Sequence, residues 1–425
     1  MELYFPLILD GANGTELQNR GYTGDVLTET WVLEHPEVME QLQREYIEAG
    51  SNVVYAPTFG ANRVKLEENG LFNRTADYNR SLVEISRKAA GSAALVAGDL
   101  ATTGKFLAPL GDMTFDDLYD VYLEQATALE EAGVDMFAIE TIMSVPDARA
   151  ALLAVRVVSD KPVLVSFTCD ENGRTLTGTD VCAALVIMQG MEIDAFGLNC
   201  GSGPDVMLKQ FRRLGEFAQV PLAVKPNAGL PHVSEGKTIY DCPPDEFAGY
   251  TQDLADAGAV MFGGCCGTGP DHISALSKAV SKTGVRALGR ATGEAGCIEL
   301  PADAGSGREA AADDVVICAT EKDVFRIRRG TRAERLIECG PDLEDQIRAE
   351  NKSGSEVIAV RIAASEDIDE FETAQYAVRK PLCIVCDDAG LLEEALRLYQ
   401  GRALYAGSLK DAELAPLVRK YGLII

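Results

Sequence analysis

Cys265 and Cys266 stand side by side in the run AVMFGGCCGTGP, residues 259–270, framed by Gly263, Gly264 and Gly267. Vicinal thiols are poor partners for a structural disulfide. Adjacent residues of a regular strand point to opposite faces. Both sulfurs can therefore reach one ion only where the backbone leaves the strand, and glycine supplies that freedom. A third thiol, Cys200, ends the apolar run AFGLNC at 195–200. Three thiolates converging on one point make a zinc site whose fourth position stays open, the arrangement of zinc that performs chemistry rather than holding a fold. The alternative is that these cysteines are small buried hydrophobes, as free cysteines commonly are.

The charge of such a site points to a reaction. Three thiolates around Zn²⁺ leave one net negative charge, and an incoming thiol loses its proton readily on the metal. Its sulfur stays electron-rich and nucleophilic at neutral pH, which suits alkyl transfer to sulfur. Cys200, Cys265 and Cys266 are thus both the candidate metal ligands and the candidate catalytic residues. Asp10 and Glu140 can bind the α-ammonium of an amino-acid thiol, and the amides of Gly11 and Ala12 can meet its α-carboxylate. Each of these rim residues also reads as an ordinary cap or surface ion pair.

These residues need a scaffold that brings distant strand ends together. Eight short apolar runs alternate with amphipathic stretches up to about residue 285: PLILD (6–10), NVVYAP (52–57), ALVAGD (94–99), DMFAIE (135–140), PVLVSF (162–167), AFGLNC (195–200), PLAVKP (221–226) and AVMFGG (259–264). Intervening stretches such as PEVMEQLQREYIEAG show i, i+3, i+4 apolar spacing and end at glycine, as helices do. Eight strands with helical crossovers predict an α/β (β/α)8 TIM barrel, with chemistry at the C-terminal strand ends. An open doubly wound sheet would need a G-x-G-x-x-G loop after the first strand, and DGANGTE lacks it. Residues 1–285 are expected to form the barrel and 286–312, rich in Gly and Ala, a linker. Residues 313–425, with the runs VVICAT, SEVIAVRIA, PLCIVCD, RALYAG and YGLII, are expected to form a smaller half-barrel-like β/α domain.

Bulk properties exclude some partners. The net charge is −27, and such a field repels nucleic acid and anionic membrane surfaces. No apolar stretch approaches the ~20 residues that span a bilayer, and the start MELYFPLILDGANGT lacks the basic n-region of a signal peptide. The cytoplasm is the expected compartment, where the eleven cysteines would be mostly reduced.

The runs DGANGTEL, APTFGANRVKL, AIETI, GLNCGSGP, VKPNAGLP and MFGGCCGTGPDHI resemble, in order from about residue 5 to 285, the homocysteine-binding (homocysteine S-methyltransferase) module of cobalamin-dependent methionine synthase. They are similar too to the betaine– and S-methylmethionine–homocysteine methyltransferases. The resemblance implies a zinc-dependent barrel that methylates homocysteine to methionine, with Cys200, Cys265 and Cys266 as zinc ligands and Asp10 and Glu140 on homocysteine. It implies as well that the Asn227 oxygen occupies the zinc when homocysteine is absent. The tail resembles, more faintly, a truncated and degenerate start of the pterin-binding barrel that follows this module. Its signature segment reads FRIRRGTRAER, and no cobalamin-binding D-x-H-x-x-G motif is present. The expected donor is therefore methylcobalamin on a separate corrinoid protein, with betaine or S-methylmethionine as alternatives. A non-catalytic zinc- or thiol-binding scaffold subunit is the contrasting reading. The C-terminal domain is expected to serve assembly, by docking on a partner or by homo-oligomerisation.

Cys383 and Cys386 have redox spacing but lie in an apolar strand, and are read as core. His272 is read as a surface residue at a helix start.

Overall fold

The computed structural model describes residues 3–108, 110–234, 237–285 and 315–425; the expected linker, 286–312, lies outside them. The described residues form two compact units: 3–177, 193–216 and 220–285 make the first, and 178–192, 217–219 and 315–425 the second. Among the described residues no helix is long and apolar enough to cross a membrane.

The first unit is a parallel barrel. Its strands are β1 (Leu7–Ile8), β2 (Val53–Tyr55), β3 (Leu95–Ala101), β4 (Met136–Ile142), β5 (Val163–Phe167), β6 (Ala195–Asn199) and β7 (Leu222–Lys225). A hairpin, β8 (His232–Ser234) with β9 (Lys237–Ile239), precedes the last barrel strand, β10 (Ala259–Phe262). The strand order is β1-β10-β7-β6-β5-β4-β3-β2. Each of the eight apolar runs became a barrel strand; the hairpin, in a stretch of mixed polarity, did not stand out.

Side chains close the seam between β1 and β2. Asn52 N–H donates to Ile8 O at 2.7 Å and Asn52 Oδ1 accepts Ile8 N–H at 3.0 Å. One step higher, Asp10 Oδ2 accepts Tyr55 N–H at 2.8 Å. Two-residue β1 is too short to ladder with β2 by backbone alone, so carboxylate and amide take the carbonyl's place.

Inward-facing Val53, Ala97, Met136, Ala138, Leu164, Ala195, Ala223 and Met261 fill the barrel with apolar side chains. Each such side chain is worth about 1.5–3 kcal/mol when a Val- to Met-sized group is buried. Side chains alternate along a strand, so the same inward face continues upward to Asp99, Glu140, Ser166, Asn199 and Lys225. All five are buried. The C-terminal floor of the barrel is therefore polar and charged above an apolar interior.

The crossover helices pack by the same rule. Pro36–Ala49 has Pro in its first turn, buries Met39, Leu42, Gln43 and Tyr46, and stops at Gly50, whose φ is 115°. Tyr46 donates its hydroxyl proton to Ala12 O at 2.7 Å and lies 3.2 Å from Thr268 O, so this helix sets the first rim loop against the last.

The second unit holds a four-stranded parallel sheet of β13 (Leu336–Glu338), β14 (Ile358–Arg361), β15 (Leu382–Val385) and β16 (Leu404–Ala406). It also holds an antiparallel pair, β11 (Val315–Ala319) with β12 (Val324–Arg328). The run VVICAT is thus a hairpin strand outside the parallel sheet, paired with a strand that the charged text FRIR concealed. YGLII is not a strand: the helix Asp411–Tyr421 runs into it, ends at Gly422 (φ 71°) and leaves Ile424 in a single bridge to Leu404. Residues 178–192 carry the helix Val181–Gln189, apolar on every face and buried from Val181 to Met188. Asp180 N–H donates to Lys322 O at 2.9 Å within this unit.

Candidate metal centre

Backbone bonds around the end of β7 draw three thiols together. Cys200 N–H donates to Lys225 O at 3.1 Å, Cys265 N–H to Pro226 O at 2.8 Å, and Ala228 N–H to Cys266 O at 2.9 Å. The segment 225–228 thereby straps the end of β6 to the end of β10. The Sγ atoms of Cys200, Cys265 and Cys266 all lie within 4.8 Å of one another, with Cys200 and Cys266 at 4.0 Å. Tetrahedral zinc with Zn–S bonds near 2.3 Å places its sulfurs ~3.8 Å apart, so the three need little movement to share an ion.

The backbone leaves the strand where the vicinal pair requires it. Gly267 has φ 81°, and a Cβ there would meet the Tyr240 ring at 2.3 Å; a Cβ on Gly264 would meet Thr268 Oγ1 at 2.3 Å. On the same rim Cys200 itself is left-handed, with φ 59°, and so is Thr141, with φ 57°. Non-glycine residues in this region store strain that the surroundings must hold, a common mark of functional sites.

Hydrogen bonds from Cys265 and Cys266 hold the Cys200 thiol down at about 3. Sharing with Cys200 pushes Cys266 up to about 11. The cluster thus favours one thiolate stabilised by two thiols, and a cation can replace the two protons. Asn227 is buried beside it: its amide reaches Cys200, while Oδ1 has no hydrogen-bond partner among the described residues. A buried amide oxygen without a partner is costly, and here it adjoins three sulfurs.

The other expected residues fall as follows. Asp10 is 0% exposed and Glu140 8% exposed. Gly11 lies so close to Tyr46 that a Cβ would approach its hydroxyl at 2.8 Å. Ala12 N–H is donated to Thr268 O at 3.1 Å. Cys383 and Cys386 behave as core: burial pushes both thiols up, and Cys386 Sγ lies 3.2 Å from Asp388 O. His272 is half-buried rather than a surface residue. It packs edge-on against Phe247 and lies 3.0 Å from Cys242 O.

Sequence reasoning missed several residues of the site. Lys225 sits between Asp10 and Glu140, 3.1 and 3.5 Å away. Burial works against its charge, but Glu140 and Asp10 outweigh burial and hold its pKa above the ordinary lysine range. Asp99 is pushed well up, chiefly by burial and then by Glu140. Tyr240 follows β9 and hydrogen-bonds Cys266. A lysine inside the apolar run PLAVKP was the available signal; a buried strand has no use for a charge unless something pairs it.

The sequence profile of the homocysteine S-methyltransferase family matches residues 7–280. Methionine synthases of Mycobacterium leprae (strain TN) and Mycobacterium tuberculosis (strain ATCC 25618 / H37Rv) are similar to the chain, at 33% identity over 298 residues and 32% over 297. Each match takes in 65% of this chain and 24% of the relative, so the chain spans about a quarter of their length. Among solved structures, the homocysteine methyltransferase MmuM of Escherichia coli, in oxidized and metallated forms, is 25% identical with a TM-score of 0.55. That likeness covers 64% of this chain and 95% of MmuM.

Proposed function

This chain belongs to the homocysteine S-methyltransferase family, and we propose that it transfers a methyl group to the thiol of homocysteine at the barrel mouth, giving methionine. The observation that carries this reading is the meeting of three thiols within 4.8 Å beside the partnerless Asn227 Oδ1. That donor set fits zinc, with three soft sulfurs and one neutral oxygen that leaves easily. Cys200, Cys265 and Cys266 would hold the ion, with Asn227 beside them. When bound, zinc supplies the positive charge that keeps a substrate thiol deprotonated at neutral pH. The metallated form of MmuM supports a metal in this family of sites.

The chain's own residues do the rest. Three sulfur ligands leave the site electron-rich, which favours a nucleophilic sulfur over a polarised carbonyl. Glu140 faces the substrate with a carboxylate for its ammonium. Gly11 and Ala12 border the carboxylate side, Ala12 contributing shape because its N–H is already donated to Thr268. Every residue named for this chemistry belongs to the first unit.

The donor in this reading is methylcobalamin carried by a separate corrinoid protein. Exposed Phe59, Leu110, Leu176, Leu230 and Val233 support it. Each lies between a barrel strand and the helix after it, Val233 in the hairpin strand β8, and exposed apolar groups on such connections can serve docking. The test is methionine formation from homocysteine with free methylcobalamin, betaine and S-methylmethionine compared side by side. Turnover with methylcobalamin above the other two is the expected result. Turnover with a small onium compound alone would reassign the donor. Zinc and homocysteine binding without methionine from any donor would favour the scaffold reading.

A further inference from the structure

Nothing in methyl transfer itself calls for a lysine on the barrel floor, yet Lys225 stands there at 5% exposure. Its ammonium lies 3.1 Å from Asp10 Oδ1, 3.5 Å from Glu140 Oε2 and 3.5 Å from the centroid of the Tyr55 ring. An ammonium is stable at that depth only when carboxylates and an aromatic face replace its water. Asp10 and Glu140 are also the two carboxylates that the α-ammonium of an amino-acid thiol would seek.

The two are not equivalent. Asp10 is 0% exposed and both its oxygens are engaged: Oδ2 accepts Tyr55 N–H in the β1–β2 seam, and Oδ1 takes Lys225. An incoming ammonium could reach Asp10 only by expelling a buried lysine from the closure of the barrel. Glu140 retains some exposure and meets Lys225 through Oε2, at the longer distance. On the neighbouring strand Asp99 is in register with Ala138, two residues before Glu140, and faces the same interior. Its Oδ1 is buried without a partner among the described residues. A cationic donor entering beside Glu140 would supply the hydrogen bond that Asp99 lacks.

We propose that Lys225 sets the substrate specificity of this site: it withdraws Asp10 from substrate contact and anchors Glu140, with Asp99 beside it, as the reader of the α-ammonium. This rests on the homocysteine reading above. It makes Asp10 a seam and counter-ion residue, contrary to the expectation from sequence, and Lys225 a positioning residue that acts through Glu140.

The test is thiol binding to the zinc-loaded full chain, followed by calorimetry. The two probes are homocysteine and 4-mercaptobutyrate, which keeps the thiol and carboxylate and lacks the amine. The ratio of the two affinities reads the ammonium contact alone. It should fall ~10-fold or more in Glu140→Gln, as expected for a lost hydrogen bond to a charged group. It should fall by a smaller factor in Lys225→Met, which frees Glu140 from its anchor. In Asp10→Asn it should stay within about twofold, even if overall affinity and thermal stability drop, since no direct ammonium contact is lost. An equal fall in Asp10→Asn and Glu140→Gln overturns the proposal. So does a ratio in Lys225→Met that stays at the wild-type value, because Lys225 would then neither hold Asp10 back nor anchor Glu140. If Asp10→Asn does not fold, whether the ratio changes in Lys225→Met decides. Wild-type protein that binds neither thiol removes the functional reading and this inference with it; wild type that binds homocysteine confines any failure to the inference.

Discussion

Asn199 Nδ2 lies 4.0 Å from Cys265 Sγ, while its own carbonyl accepts Thr141 N–H at 2.9 Å and the Ser166 hydroxyl at 2.7 Å. The same Nδ2 donates to Thr141 Oγ1 at 2.8 Å. One buried amide therefore holds the left-handed turn after Glu140 and aims a donor at a sulfur two strands away on the same rim. Groups of this kind orient ligands and typically account for about 10–100-fold in metal affinity. Asn199→Ala should weaken zinc binding by about that factor, measured by competition with a chelator. Unchanged affinity would show that Asn199 only packs.

Single replacements Cys200→Ala, Cys265→Ala and Cys266→Ala should each abolish stoichiometric zinc and methionine formation. Far-ultraviolet circular dichroism should stay that of the wild type, because apolar burial supplies most of the barrel's stability. Full zinc in any one variant, by metal analysis, would remove that cysteine from the ligand set.

Gly267→Ala should be costly although it adds one methyl group. The position has φ 81° and its Cβ would strike the Tyr240 ring, so strain of about 1–3 kcal/mol falls on the turn that carries Cys266. Zinc affinity and melting temperature should both drop. If both hold, the ring has moved aside and the turn is looser than it stands here.

Much of this site was legible because its signals are local. The glycine frame around Cys265-Cys266 and the position of Cys200 at a strand end are readable from spacing, and the eight strands from runs of apolar residues. What stayed hidden depends on pairing across the chain. Asp10 looked like a rim carboxylate, yet it accepts Tyr55 N–H from 45 residues away. Lys225 was absorbed into an apolar strand, since only the folded barrel brings Glu140 and Asp10 to it. The strand Val324–Arg328 alternates Val, Arg and Arg with Phe and Ile, and its charges masked its period.

Asp147, buried in the first turn of the helix Val145–Val158, gives a stability test. Burial raises its carboxyl from 3.8 to about 6, against hydrogen bonds from Ser144 and Tyr122. A carboxyl whose folded pKa lies above its unfolded value favours folding below the unfolded pKa, and that contribution is lost as pH rises through the folded one. The cost should accumulate between pH 3.8 and about 6, reaching about 3 kcal/mol. Asp147→Asn has no proton to lose, so denaturant titrations should show the variant gaining on the wild type across that window. A difference that is flat with pH would contradict the buried carboxyl.

The most direct measurement is zinc-edge X-ray absorption on the purified protein, before and after saturating homocysteine. Zinc bound by Cys200, Cys265 and Cys266 predicts three sulfurs and one oxygen or nitrogen in the first spectrum, and four sulfurs in the second. A sulfur count that does not change with homocysteine would contradict activation of the thiol at this cluster.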